Sequence, residues 1–564
     1  MRKQNNIVVI GGTACGPKAA ARARRCDPSA RITIIEQQEN LSTATCGLPY
    51  YISGLIGNEE AMVARRPDYF RDMMDMELFV CTRAQAIDRK AHTIELIDLK
   101  TKQHSTVEYG KLVLATGSTP AVPDWEGRNL KGIFTLSGIQ DANAIRNSIS
   151  NLKTGEVVVV GAGLIGLEMT EALVSLGLKV TVLEALDCVL PTLLDADIAT
   201  LVEKQLKSRG VKILCGQPVT GFLGDEKGHV RRVITREGEV EADLVLLSLG
   251  VRPDVNLARN AGLEIGATGG ISVNQYLQTS DLDVYAGGDC VENVHIVTGE
   301  KILAPMGSTA NKHGRIIGTN MTGGSETFPG VLGTAIVKVF DYNVGRVGLN
   351  ESQAKEAGYN TQISIVPGNE HATYYPGSRE ITVKLVAEDS TGRLLGGQVV
   401  GPGDTAKRID VLATSLTFGA TVNDLANLDL AYAPPYNSAL DPLHNAANVV
   451  RNKQVGLART LTPADVKKKL ENGDRFVLLD VRSPEEWREI RIDASQAKLL
   501  PLPELRKRLD ELSSNEDIVI YCKTSIRAYQ AQRILDGAGF RNVTFMDGSL
   551  DAWPYETVTA PENR

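Results

Sequence analysis

Several signatures are missing from this 564-residue chain, and each absence closes off a class of chemistry. Its eight cysteines, Cys15, Cys26, Cys46, Cys81, Cys188, Cys215, Cys290 and Cys522, form no CxxC pair and no disulfide-framework spacing. That scatter suits a reducing compartment, and the chain is read as cytoplasmic. The seven histidines add no metal-ligand spacing, so no zinc or iron-sulfur site is expected. No apolar run nears the ~18 residues of a membrane span, and residues 7–10 (IVVI) read as a strand with no signal-peptide layout around them. Positive charge is also short: 61 Lys and Arg against 68 Asp and Glu leave a net charge of −7, which argues against general nucleic-acid binding. Redox chemistry should therefore come from thiols and organic cofactors.

What is present centres on residues 41–54, LSTATCGLPYYISG, where Cys46 sits among small residues. A redox thiol must be reachable, must be stabilised as a thiolate and must stand near an electron source. Ala44, Thr45 and Gly47 permit close backbone approach, and Pro49 sets the chain direction after the turn. A buried structural cysteine is the plainer alternative, but Cys46 lies between two nucleotide-binding signatures.

The first signature is strand, glycine turn (Gly11, Gly12, Gly16), Ala-rich helix over 18–25 and a second strand ending at Glu36. Glycines allow a pyrophosphate to approach the backbone, the helix start offers N–H groups, and the carboxylate accepts ribose hydroxyls. Thr13 occupies the usual middle glycine position. The second signature, residues 157–169, carries a complete GxGxxG at Gly161, Gly163 and Gly166, and its second strand ends at Glu184. A carboxylate there favours a free ribose 2′-hydroxyl, hence NADH over NADPH.

Other segments fit around these. Strands are expected over 94–99 and 111–117, the latter ending in Ala115, Thr116 and Gly117, small enough to close over a cofactor. Strand-like stretches follow at 243–254 and 279–290, where Asp289 can bind a sugar or ribityl hydroxyl or serve as a plain turn residue. Glycines and prolines near residue 325 mark a boundary. Beyond it, residues 332–457 mix strands with a helix near 409–418 and carry HATYYPGSRE and DLAYAPPYNSALDP. After Leu457 a strand over 476–482 and a strand–loop–helix from Asp517 frame a six-residue loop from Cys522 to Arg527. Backbone N–H groups around a thiol ahead of a helix form an anion cradle.

This order of two dinucleotide units with ATG and GD segments resembles the flavoprotein disulfide reductases over roughly residues 1–450. The resemblance implies an α/β fold with two Rossmann-like domains, FAD on the first and NADH on the second, an α+β dimerisation domain and a homodimer. The expected domains are 1–118 with 249–325 for FAD, 119–248 for NAD, 326–457 for dimerisation and 458–564 at the C-terminus. The usual CxxxxC pair is absent, since Leu41 and Tyr51 flank Cys46 at five residues. The chain thus stands beside the single-cysteine branch: coenzyme A-disulfide reductases, persulfide reductases, and NADH oxidases and peroxidases. CGLPYYISG and AARARR look like the coenzyme A-disulfide reductases, whose matching cysteine forms a mixed disulfide with coenzyme A.

By that likeness Tyr374 and Tyr432 are the tyrosines supplied from the partner subunit, with Tyr375 a near competitor. Arg22 and Arg25, one helical turn apart, take coenzyme phosphates or form a solvated basic face. Ser42 falls in the substrate segment, where Ser42-Thr43 replaces the familiar Ser-Phe, and Cys15 replaces a common glycine. Residues 460–560 resemble a rhodanese, a persulfide-carrying sulfurtransferase module, through DVRSPEEW, CKTSIR and DGSLDAW, with Arg488 to Ile492 in place of Gly-His-Ile.

The implied activity is NADH-dependent reduction of S–S bonds in coenzyme A persulfide, polysulfide or coenzyme A disulfide at Cys46, with Cys522 supplying sulfane sulfur. Competing readings are an NADH oxidase or peroxidase using a Cys46 sulfenic acid, and a sulfur-binding sensor or carrier acting with a partner protein.

Overall fold

The computed structural model describes residues 6–152 and 155–559. The chain divides into two compact units, Met1–Ala185 with Gln217–Val331, and Leu186–Gly216 with Leu332–Arg564.

In the first unit a parallel sheet runs in the order Val284–Ala286, Lys111–Leu114, Asn6–Ile10, Arg31–Ile35, Glu77–Phe79. Its strands are apolar along their length because both faces are covered, as parallel sheets require. The Ala-rich helix spans Cys15–Cys26, starting three residues before the expected position, with Pro17 in its first turn. Its small face meets helix Gly307–Asn320 at very short range: a Cβ on Gly314 would stand 2.4 Å from the Cys15 carbonyl oxygen, and one on Gly318 2.5 Å from that of Ala19. A second parallel sheet orders Lys179–Leu183, Glu156–Val160, Leu244–Leu247 and Ile133–Phe134.

Four expected strands are shorter than the runs that suggested them, the one over 476–482 keeping only Val477–Asp480. The run over 243–254 breaks at Gly250 (φ +85°) into Leu244–Leu247 and Val251–Pro253, and the second piece pairs antiparallel with Ser118–Pro120. The run over 111–117 stops at Leu114, and 279–290 keeps only Val284–Ala286, because the residues beyond turn toward the glycine loops.

The second unit holds an antiparallel sheet in the order Ala335–Val339, Tyr342–Gly348, Leu394–Gly401, Glu380–Glu388, Thr361–Asn369, with helices Ala406–Thr417 and Pro442–Gln454. Its last part is a parallel sheet, Thr460–Leu461, Val543–Met546, Ile518–Tyr521, Val477–Asp480, Ala497–Leu499. Period-two alternation sends Ile518, Ile520 and Cys522 into one core cluster and Val519 and Tyr521 into the other. Buried ion groups organise this unit, among them Arg408 with Asp441 at 3.0 Å and Arg482 with Asp480 at 2.6 Å. Lys384 Nζ lies 2.8–3.1 Å from carboxylates of Asp195, Asp197 and Glu351, and Lys453 Nζ lies 2.5 Å from Asp547.

Among the described residues, no helix is long and apolar enough to cross a membrane.

Candidate functional site

The two glycine turns have the same construction. Gly11 (φ +109°) and Gly161 (φ +103°) both need the left-handed backbone, and a Cβ on either would collide with a carbonyl oxygen, Ala115 at 2.0 Å and Ser248 at 2.4 Å. Gly16 and Gly166 press the helix onto the first glycine, their virtual Cβ atoms 1.9 and 2.0 Å from the oxygens of Gly11 and Gly161. Each acidic strand end returns to its turn: Gly12 N–H donates to Glu36 Oε2 at 2.6 Å, and Ala162 N–H to Glu184 Oε2 at 2.8 Å. Burial raises the Glu36 carboxyl above its usual range, against backbone donors from Gln38, Gly12 and Gln37 that pull it down. The turns differ at one place. A Cβ on Gly163 meets nothing within 4 Å, leaving the backbone open to a ligand, whereas its counterpart is Thr13, whose side chain is exposed.

Around the first turn, Ala115 N–H donates to Ile10 O, Thr116 Oγ1 donates to Asp254 O at 2.6 Å, and Asp254 N–H returns to Gly117 O at 2.9 Å. Asp289 accepts from Ser118 Oγ at 3.2 Å, and burial raises its carboxyl. Gly288 N–H donates to His313 Nδ1 at 3.1 Å. His313 is wholly buried and its ring is pushed down to about 4 by that burial, with Lys312 adding, so the imidazole is neutral at pH 7. Its Nε2 has no protein partner. Open glycine backbone, buried acceptors and this orphaned ring nitrogen fit the needs of a dinucleotide at each turn.

Cys46 is exposed, in a 3-10 turn over Thr45–Gly47 that runs straight into helix Leu48–Ile52. A Cβ on Gly307 would lie 4.0 Å from its Sγ, so the thiol faces the start of the 14-residue helix Gly307–Asn320. Helix N-termini favour anionic sulfur. Ser42, at φ +55°, donates its N–H to Gly12 O at 2.6 Å and tethers the cysteine segment to the first glycine turn. Cys15, by contrast, is buried, and burial, then Cys290 and Asp289, push its thiol far up.

Sequence reasoning missed Tyr50 and Glu168. Glu168 sits just after Gly166 on helix Leu164–Ser175, and burial with repulsion from Glu171 raises its carboxyl to about 7, against a hydrogen bond with the Tyr50 phenol. Burial, Glu168, Glu171 and Cys46 raise that phenol in turn. The only available signal was an acid following GxGxxG.

The arginine pair is split. Arg22 Nε donates to Thr319 Oγ1 at 2.9 Å and its guanidinium lies 3.6 Å from Glu326, while Arg25 is exposed. In the second unit Tyr374 and Tyr432 are exposed with their hydroxyls 3.5 Å apart, whereas Tyr375 turns edge-on to His371 at 5.7 Å.

Cys522 is 1% exposed at the end of strand Ile518–Tyr521. Its N–H donates to Ser549 Oγ at 3.1 Å, and the same hydroxyl lies 3.8 Å from Sγ. Ser525 (φ +80°) and Ser549 (φ +51°) hold left-handed backbone around it, strain of about 1–3 kcal/mol each. The last two loop residues, Ile526 and Arg527, already belong to helix Ile526–Gly537. Arg527 forms two hydrogen bonds to Glu486, at 2.7 and 2.6 Å, and these hold the Glu486 carboxyl down at about 2. Glu486 also caps helix Pro484–Glu489 through Ser483.

Residues 5–308 match the pyridine nucleotide-disulphide oxidoreductase family, 334–443 its dimerisation domain and 462–555 the rhodanese-like domain. An NAD(P)H coenzyme A polysulfide/persulfide reductase of Pyrococcus horikoshii is 37% identical over 453 residues, 79% of this chain and 99% of that protein. Among solved structures, an NAD-dependent persulfide reductase from A. fulgidus superposes with a TM-score of 0.93 at 42% identity, over 97% of this chain and 100% of that one. A reduced CoADR-RHD from Bacillus anthracis gives 0.91 at 34% identity over 97% of each.

Proposed function

The chain belongs to the pyridine nucleotide-disulphide oxidoreductase family, and from that premise we propose that it uses NADH to reduce S–S bonds of coenzyme A persulfide, polysulfide or coenzyme A disulfide at Cys46. The observation that carries this is one accessible thiol beside a helix start in a chain that also holds a rhodanese-like domain. An oxygen-reducing oxidase has no use for a sulfurtransferase, and the two solved relatives above match across both parts.

FAD, when bound, supplies two-electron transfer between nicotinamide and sulfur. Gly11, Gly12, Gly16, Glu36, Ala115, Thr116, Gly117 and Asp289 would hold it, and Gly161, Gly163, Gly166 and Glu184 would hold NADH. Cys46 thiolate attacks the inner sulfur of a coenzyme A persulfide, forming the Cys46–S–S–coenzyme A bond and expelling hydrosulfide. Two electrons from NADH then break that bond. Overall, NADH, a proton and coenzyme A persulfide give NAD⁺, coenzyme A and H₂S.

Tyr374 and Tyr432 act as a pair on the leaving coenzyme sulfur, from the partner subunit of a homodimer. Arg22 and Arg25 are the phosphate contacts, with Arg25 the freer of the two, and Ser42 shapes the entry. Cys522, with Arg527 at its loop end, accepts sulfane sulfur. The working domains are 1–118 with 249–325, 119–248, 326–457 and 458–564, and eight separate free thiols support a cytoplasmic setting.

Anaerobic NADH oxidation with each acceptor, counting sulfide and thiol, tests the proposal. One sulfide and one coenzyme A per NADH is expected with the persulfide. NADH consumption that needs O₂ and ignores all three acceptors would overturn it.

A further inference from the structure

The surroundings of the Cys522 loop are not built by the rhodanese fold alone. The turn Ser549–Ala552 folds back on the cysteine loop, Leu550 N–H donating to Cys522 O at 3.2 Å and Asp551 N–H to Lys523 O at 3.0 Å. That turn is seated on the antiparallel sheet: a Cβ on Gly548 would stand 3.2 Å from Ile365 Cγ2, and Lys453 bridges Asp547 and the Ile363 carbonyl at 2.5 and 2.7 Å. Both Lys453 and Asp547 are nearly fully buried, so breaking the pair would strand a charge, and the seat is fixed. The same sheet then delivers Glu380, first residue of strand Glu380–Glu388, to within 3.6 Å of Lys523 Nζ.

We propose that Glu380, a residue of the dimerisation sheet, sets the charge around the Cys522 loop together with Lys523 and Asp551, so that the site disfavours dianionic sulfur donors of the thiosulfate type and takes a persulfide carried on an uncharged arm. This rests on the reading of Cys522 as a sulfur acceptor. Three cations, Lys523, Arg527 and the buried Arg482, face four carboxylates there, Glu380, Glu486, Asp551 and Asp480, the last paired with Arg482 at 2.6 Å. Arg527, the cation that interacts with the Cys522 thiol, is paired with Glu486, and Lys523, the next residue after Cys522, is paired with Glu380. Asp551 is held up at about 6, chiefly by burial and also by Glu380, with Lys523 and Arg482 opposing, so it is mostly ionised at pH 7. The Lys523–Glu380 pair is more than half exposed and adds little stability. Its effect lies in the field an incoming anion meets.

Both donors react by one balanced step. Cys522 thiolate bonds to the outer sulfur of the donor, the donor's S–S bond breaks, and the pair leaves on sulfite or on the carrier thiolate. The Cys522 persulfide retains the charge or proton of the transferred sulfur. No external oxidant or reductant is consumed. The donors differ in the charge brought to the loop, two for thiosulfate and one for an ionised persulfide.

The test is sulfur transfer to cyanide by the full-length protein at low salt, with thiosulfate and with pantetheine persulfide as donors. Glu380→Gln should raise kcat/KM for thiosulfate by about three- to tenfold, Asp551→Asn should do the same, and Lys523→Gln should lower it, from the field of one charge at short range. Pantetheine persulfide, with half the charge, should change by only about the square root of that, roughly two- to threefold, and 0.5 M salt should shrink the thiosulfate effects, as screening requires. Thiosulfate values within twofold of wild type for both Glu380→Gln and Asp551→Asn, or equal gains with both donors, would overturn the inference while Cys522→Ser still abolishes transfer. No transfer from either donor in the wild type, or transfer surviving in Cys522→Ser, would instead overturn the acceptor reading and the inference with it.

Discussion

Cys46 and Cys522 both stand just before helices, yet their surroundings are opposites. Cys46 is exposed, on a turn of small residues, with the start of a separate long helix beside its sulfur. Cys522 is buried, with its own backbone N–H and sulfur on a single serine hydroxyl and two serines held in left-handed backbone around it. The open thiol suits a bulky coenzyme and exchange with an electron source. The enclosed one suits a single transferred sulfur atom kept from water. Different tasks should then fail separately.

The largest test of that contrast is a crossed pair of variants. Cys46→Ser should lose about 10³-fold or more of NADH-dependent persulfide reduction, the scale for removing a nucleophile, while cyanide-linked sulfur transfer stays within about twofold. Cys522→Ser should show the reverse for coenzyme A persulfide, and should slow reduction of polymeric sulfur donors that cannot enter the Cys46 site. Equal losses in both assays for either variant would merge the two sites into one.

Ser549→Ala sharpens the enclosed side. It leaves the buried Cys522 N–H without its acceptor and removes the hydroxyl facing Sγ. A loss of about 1–3 kcal/mol in the local unfolding free energy is expected, read by hydrogen exchange of the strand Ile518–Tyr521, together with slower persulfide formation. Unchanged exchange there would remove Ser549 from the cradle.

On the open side, Glu184 should favour NADH over NADPH by about tenfold or more in kcat/KM, the size of one charge repulsion near a 2′-phosphate. Comparable values for the two coenzymes would detach Glu184 from that role.

The smallest expected effect is on pH. Glu168 is held at about 7, chiefly by burial, with Glu171 and Tyr50 facing it. A carboxyl raised in the folded state binds extra protons there, so its stabilising contribution is full below the usual carboxylate range and is lost as pH rises toward 7. Glu168→Gln should therefore gain stability relative to wild type at pH 8 compared with pH 5, by about 2–4 °C in the unfolding midpoint of this unit. A pH-independent difference would show that Glu168 is not held protonated.

Local pattern carried the parts of the site that repeat a local rule. The glycine turns were legible because Gly11, Gly16, Gly161 and Gly166 are forced by backbone collisions within a strand–turn–helix unit, and the acid that closes each lies only 24 or 22 residues on. The cysteine loop was legible for the same reason, although its last two residues are helical. Tertiary approach was not legible. Gly307 beside Cys46, Tyr50 against Glu168, Ser549 under Cys522 and Glu380 at Lys523 join segments with no shared periodicity. Likewise the run over 243–254 reads as one strand until Gly250 turns it, and Arg22 reads as free until Thr319 and Glu326 engage it.

The central claim, that electrons from NADH leave the protein through Cys46 onto sulfur, is tested most directly by rapid mixing under anaerobic conditions. Wild type and Cys46→Ser, each with bound FAD and reduced by one equivalent of NADH, are mixed with coenzyme A persulfide while flavin absorbance and sulfide are followed. Wild type should reoxidise and release one sulfide per flavin, and the variant should stay reduced. Reoxidation and sulfide release by the variant at the wild-type rate would contradict the account.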